Sequence, residues 1–211
     1  MSRFFSTLFL LMSLGLSQII YSHGETPPND GKFTVVLDAG HGGHDPGNLG
    51  NGFKEKDIAL KIVLQVGAIL EKDPNINVIY TRKDDSFVDL YVRGKIANEA
   101  KADLFVSLHC NHSDNPNARG IEVYVANSKS KNSDKATWLA FLIQDKLNKK
   151  LGFESRGVKF SNFQVVRETI EFMPSMLVEL GFLSNRDECD YFQKLESIRF
   201  LAMVIWERLI K

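Results

Sequence analysis

The sequence has no excess of either charge, since its 26 basic and 26 acidic residues cancel. Without a basic stripe to follow a phosphate backbone, the nucleic-acid-binding classes are excluded, and a neutral balance gives no basis for tight adhesion to an anionic membrane. Cysteine is scarce: only Cys110 and Cys189 occur. With no Cys-x-x-Cys there is neither a thiolate zinc cage nor a thioredoxin-like redox pair. Two cysteines so far apart read as buried thiols, because small exported domains that depend on disulfides carry more. There is no internal repeat and no low-complexity tract. His-Glu-x-x-His is absent, so no two metal ligands come from one helix face. The Gly-Lys-Ser/Thr ending that a phosphate-binding loop needs is absent as well.

What is present is an ordinary globular composition, 44% hydrophobic and 25% charged over 211 residues, enough for one domain with a full core. Arg3 and the apolar run from Phe4 to Ile20 read as a secretory signal peptide over residues 1–22. An uncleaved anchor is the alternative, since the run lies near the lower length limit of a membrane span. On either reading the domain is exported, to the periplasm or cell envelope. Residues 23–32 (HGETPPNDGK) form a polar linker, and 33–211 form the domain.

Within that domain, Phe33–Leu37 is a β-branched apolar run, read as a buried strand. The loop Asp38–Phe53 holds six glycines and reads as irregular. Ile58, Ile62, Val66, Ile69 and Leu70 recur at helical spacing from Glu55 to Lys72, and Asp73-Pro74 ends that helix. Strands are expected at 77–81, 104–108, 121–125, 163–166 and 176–180, and helices at 88–100, 135–151 and from 187 onward. The segment 121–125 alternates, as a strand with one wet face does. Strands alternating with helices define an α/β single domain with a mostly parallel sheet and helices on both faces.

In such sheets functional groups gather beyond the carboxyl ends of the strands. His41 follows the first strand, His109 ends LFVSL, Glu179 lies at the end of SMLVEL, and Glu55 opens the first helix, where the helix dipole favours a carboxylate. Two imidazoles, a carboxylate and an open position make a catalytic zinc site. A carboxylate off the metal, for which apolar-flanked Glu179 is suited, can move the proton. Spacing alone does not show that these residues meet.

As a set, the segments LDAGHGGHDPG (37–47), Glu-Lys-Asp (55–57), RGKIANEAKADLFVSLHCN (93–111) and PSMLVELGFLSN (174–185) resemble the zinc N-acetylmuramoyl-L-alanine amidases, over the whole domain from Phe33 onward. The resemblance implies one zinc ion on His41, Glu55 and His109, with Glu179 as the catalytic carboxylate and a six-stranded mixed sheet. It implies a hydrolase that acts on peptidoglycan or muropeptides and cuts the amide between N-acetylmuramic acid and L-alanine; a monomer is expected. Cys110 stands where the family usually has a small Ala. Division-linked relatives carry a long insertion whose helix blocks the zinc. Here Asn127–Ser161 leaves room for little beyond one crossover helix, so an open site is expected.

Other residues have narrower expectations. Asp38 either orients a ligand histidine or caps its turn. His44 and His112 read as exposed loop histidines. Arg93 reads as a structural ion pair, Arg167 as a candidate contact for stem-peptide carboxylates, and Asn111 as either a substrate donor or a loop brace. The rival functions are a zinc peptidase acting within the stem peptide and an inactive wall-binding module.

Overall fold

A computed structural model describes residues 31–209. The signal peptide and nearly all of the linker lie outside the described residues. In chain order the elements are β1 (Phe33–Ala39), β2 (Leu49–Gly50), β3 (Phe53–Lys54), α1 (Glu55–Leu70), β4 (Ile76–Tyr80), α2 (Leu90–Glu99), β5 (Leu104–Asn111), β6 (Ile121–Ala126), α3 (Ser133–Leu151), β7 (Ser155–Ser161), α4 (Gln164–Thr169), β8 (Ser175–Phe182), α5 (Arg186–Gln193) and α6 (Leu195–Leu209).

Six strands form one sheet in the order β4-β1-β5-β8-β6-β7. The first four are mutually parallel, β6 runs antiparallel to β8, and β7 is parallel to β6. This is the mixed, mostly parallel α/β domain expected. The central strands are apolar on both faces because both are covered: Val35, Val36, Leu37, Phe105, Val106, Leu108, Met176 and Val178 are all buried. Helices α1, α3 and α6 pack together over one face, while α2 and α4 pack together over the other. The stripe Ile58, Ile62, Val66 and Leu70 on α1 is buried, as are Ile198, Leu201, Ala202 and Ile205 on α6. Amphipathic helices bury such stripes against a sheet.

Two expectations fail. Phe163–Val166 is not a strand: Phe163 precedes helix α4, which starts at Gln164. Buried Val165 and Val166 face the core from one short helical turn, so packing overrides their β preference. The sixth strand is instead Ser155–Ser161, SRGVKFS. It is the terminal strand of the sheet, and edge strands tolerate charge and glycine that hide the alternation. The loop 38–53 is also not wholly irregular. Leu49–Gly50 and Phe53–Lys54 pair antiparallel around Asn51-Gly52, whose φ values of 49° and 85° suit a two-residue hairpin.

Candidate metal centre

The site begins with how the chain after β1 is held. His41 has φ 61°, unusual for a residue with a side chain. Two buried guanidiniums hold the carbonyls of this stretch. Arg93 donates to Ala39 O at 2.6 Å and His41 O at 2.7 Å. Arg82 donates to Ala39 O at 2.9 Å and Gly40 O at 2.7 Å. Arg93 also pairs with buried Asp38 at 2.8 Å, so it is the structural ion pair expected. Asp38 accepts further bonds from Thr81 and Ser107, each at 2.6 Å. Burial alone would raise the Asp38 pKa, but Arg93 and the two hydroxyls outweigh it and hold the carboxyl below its ordinary range. Asp38 therefore neither orients a histidine nor caps the turn; it anchors the guanidinium that does the holding.

Gly40 allows the next contact. A Cβ there would come within 2.2 Å of the His109 ring, so only glycine lets β5 bring its imidazole this close. Glu55, 1% exposed at the start of α1, lies between the two histidines. Its Oε2 is 3.0 Å from His41 Nε2, and its Oε1 is 2.8 Å from His109 Nδ1. The main-chain N–H groups of Asn48 and Cys110 also donate to it, at 2.8 and 3.1 Å. His41 Nδ1 meets Asp45 Oδ2 at 2.8 Å, which fixes the ring with Nε2 inward. One ligand atom from each of His41, Glu55 and His109 lies within 4.8 Å of the others.

These residues fit a metal ion. A tetrahedral ion with bonds of about 2.0–2.2 Å holds its ligand atoms about 3.3–3.5 Å apart, within a small side-chain shift of the spacing seen. Glu55 and each histidine shift one another. Burial would raise Glu55, but His109 and His41 hold it well below the usual carboxylate range. Burial would lower His41, but its bonds to Glu55 and Asp45 carry it up to about 9. His109 is raised by Glu55 against the same burial effect.

Glu179 pairs in register with His109 across β5 and β8, so both side chains leave the same sheet face. Both line a cavity of about 500 Å³ that also holds His41 and Glu55. Oε2 of Glu179 is enclosed and has no hydrogen-bond partner. Burial pushes this carboxyl up to about 7. An unpaired, partly desolvated carboxyl beside a metal-type cluster is a strong candidate for proton transfer. No described residue between Ile121 and Ser161 lines the cavity.

The remaining expectations resolve individually. His44 is exposed and its ring lies 4.2 Å from that of Phe87; His112 is exposed. Cys110 and Cys189 are free and buried. Asn111 accepts from the His112 N–H at 2.8 Å and reaches Glu122 at 3.4 Å. Arg167 sits on α4, donates to Asn162 O at 3.2 Å and pairs with Glu168 at 3.6 Å, so it does not follow a strand end. Sequence reading missed Asp45, Arg82 and Glu122. Asp45, four residues after His41 in a tight loop, was detectable; Arg82 had no local signal. The polar face of β6 was visible, but Glu122 on it is buried beside Glu179 rather than wet.

Donor sets of this kind, with a second carboxylate at hand, serve hydrolysis at a single metal ion. The chain belongs to the N-acetylmuramoyl-L-alanine amidase family, whose model matches residues 35–209. It is 43% identical over 162 residues to the endolysin of Bacillus phage SPP1, covering 76% of this chain and 58% of the phage protein. It is 37% identical over 155 residues to the N-acetylmuramoyl-L-alanine amidase LytC of Bacillus subtilis, covering 74% of this chain and 30% of LytC. The chain thus spans little more than half of the first relative and under a third of the second. The crystal structure of an N-acetylmuramoyl-L-alanine amidase from Clostridium difficile 630 superposes with a TM-score of 0.79 at 33% identity, covering 85% of this chain and 96% of that one.

Proposed function

We propose that this domain hydrolyses the amide joining the lactyl group of N-acetylmuramic acid to the L-alanine of the stem peptide, using one zinc ion held by His41, Glu55 and His109. The observation that carries the proposal is the two-imidazole, one-carboxylate cluster within 4.8 Å, flanked across one strand pairing by the unpartnered carboxyl of Glu179. A zinc ion supplies Lewis acidity: it polarises a carbonyl and acidifies water. Asp45 holds His41 in the tautomer that presents Nε2. Glu179, with a pKa near 7, takes a proton from the attacking water and delivers it to the leaving nitrogen, as a base and then an acid poised near neutrality can.

The leader-like residues 1–22 support export, with 23–32 as a linker, so that the domain meets its substrate in the cell envelope. Among the described residues, no helix is long and apolar enough to cross a membrane. Metal analysis and mass spectrometry of digested sacculi test the proposal together. The expected result is one zinc per chain and release of intact peptides with a free L-alanine amine. Fragments cut inside the stem peptide would identify a peptidase instead. Protein that takes up no zinc when it is supplied, releases no dye from labelled sacculi and still binds them would identify a binding module.

A further inference from the structure

One polar cluster on the active-site face has no part in the chemistry above. Glu122 of β6 pairs in register with Glu179 of β8, so it lies on the same face one strand further from His109. Arg156 and Lys159 of β7 both pair with its Oε1, Lys159 at 2.9 Å. The Tyr124 hydroxyl donates to its Oε2 at 2.5 Å. Two residues three apart on a regular strand face opposite sides. Here they do not, because the β6–β7 register slips: Ile121 pairs with Ser155, but Val123 pairs with Val158. The extra residue falls at Gly157, whose φ of 92° suits a bulge that a side chain would strain. The bulge brings both cations onto the catalytic face.

The cluster carries two positive charges against one negative. Its cationic side chains remain 34% and 39% exposed. The Arg156 guanidinium lies 5.0 Å over the Phe182 ring. It donates through Nε to Glu122 and through Nη1 to Arg119 O at 3.3 Å, and Nη2 makes no hydrogen bond among the described residues. A planar donor left over beside an excess positive charge suits a carboxylate.

The proton route gives the direction of the substrate, on the reading that Glu179 protonates the leaving nitrogen. The zinc ligands come from the β1 loop, α1 and β5, and Glu179 from the next strand outward. On that reading the peptide leaves over β8 and continues past the cavity, across β6 to β7, with the sugar on the opposite side. Two strand spacings are about 10 Å, within reach of two or three extended residues at about 3.3–3.6 Å each, and the long Arg and Lys side chains shorten the gap further.

We infer that Arg156 and Lys159 form a subsite for the free carboxylate of the second stem-peptide residue. The test uses the zinc-loaded protein with two substrates, N-acetylmuramoyl-L-alanyl-γ-D-glutamyl-L-lysine and the same compound with the glutamyl α-carboxylate amidated. Arg156→Gln and Lys159→Gln should each raise KM for the carboxylate substrate about tenfold, leaving kcat and the amidated substrate within about twofold, as loss of a charge-assisted hydrogen bond predicts. Should Arg156→Gln fold poorly, Lys159→Gln, at a more exposed side chain, gives the same readout. Equal losses on both substrates would show a structural role and overturn the subsite, as would no change on either. Wild-type protein that frees L-alanyl peptide from neither substrate would instead overturn the amidase reading, and the subsite with it.

Discussion

Arg93 donates a 2.7 Å hydrogen bond to the main-chain carbonyl of His41, a residue held at φ 61°. The same guanidinium neutralises Asp38. A histidine in this backbone region costs about 1–2 kcal/mol relative to an ordinary conformation, and the buried arginine holds it there. Arg93→Ala should cost about 3–5 kcal/mol of stability, since it leaves the Asp38 charge uncompensated. It should also weaken zinc binding by releasing the loop. Denaturant titration of the zinc-free protein reads the first effect, and competitive chelation reads the second. Arg93→Ala with both properties intact would contradict this role.

Glu179→Gln keeps shape and removes the proton acceptor. It should retain one zinc and lose at least about a thousandfold in kcat, more than a general base typically contributes at the low end of its range. In wild type, the acid limb of kcat/KM should fall at or below about pH 7, where the carboxyl takes up its proton. A variant with near-normal turnover would remove Glu179 from the mechanism.

The same substitution has a stability consequence of opposite sign. The Glu179 pKa is raised when folded, so its favourable contribution is complete below about pH 4.5 and is lost as pH rises through about 7. Chelated Glu179→Gln should therefore be more stable than chelated wild type at pH 8, by about 1–3 kcal/mol. The difference should shrink toward pH 5. Parallel thermal melts at the two pH values check it.

Asp45 touches no proposed substrate atom, yet Asp45→Ala should weaken zinc binding about 10–100-fold by freeing the His41 ring. Asp45→Asn should do less harm, because an amide oxygen can still accept from Nδ1. Competition against a zinc indicator dye separates the two variants; identical affinities for both and for wild type would exclude the orienting role.

Zinc binding should also release protons. His41, raised to about 9 by Glu55 and Asp45, is charged at neutral pH, and Glu55 raises His109 in the same direction. Each proton displaced makes the affinity fall about tenfold per pH unit. Between pH 8 and 7 the apparent Kd should thus worsen by about tenfold through His41 alone. Isothermal titration in buffers of different ionisation enthalpy counts the protons directly.

Much of this domain was legible because its central strands are covered on both sides. Apolar runs such as Leu104–Leu108 announce themselves. Strand β7 did not, since an edge position lets Arg156, Gly157 and Lys159 break the pattern, and the nearby Phe163–Val166 looked more strand-like than it is. At the site, His41, Glu55, His109 and Glu179 were found through their motifs, and the structure brings all four to one cavity. What holds them was not legible. Arg82 and Arg93 act through backbone carbonyls on another segment, a relation with no local sequence pattern.

The position of β7 at the end of the sheet has one more effect. An uncovered strand offers a row of unpaired amides and carbonyls on which another chain's strand can grow. On β7 the kink at Gly157 interrupts that row, and the neighbouring positive charges of Arg156 and Lys159 repel an identical strand brought alongside. The irregularity that places two cations on the Glu122 carboxyl thus also guards the domain against sticking to its own copies.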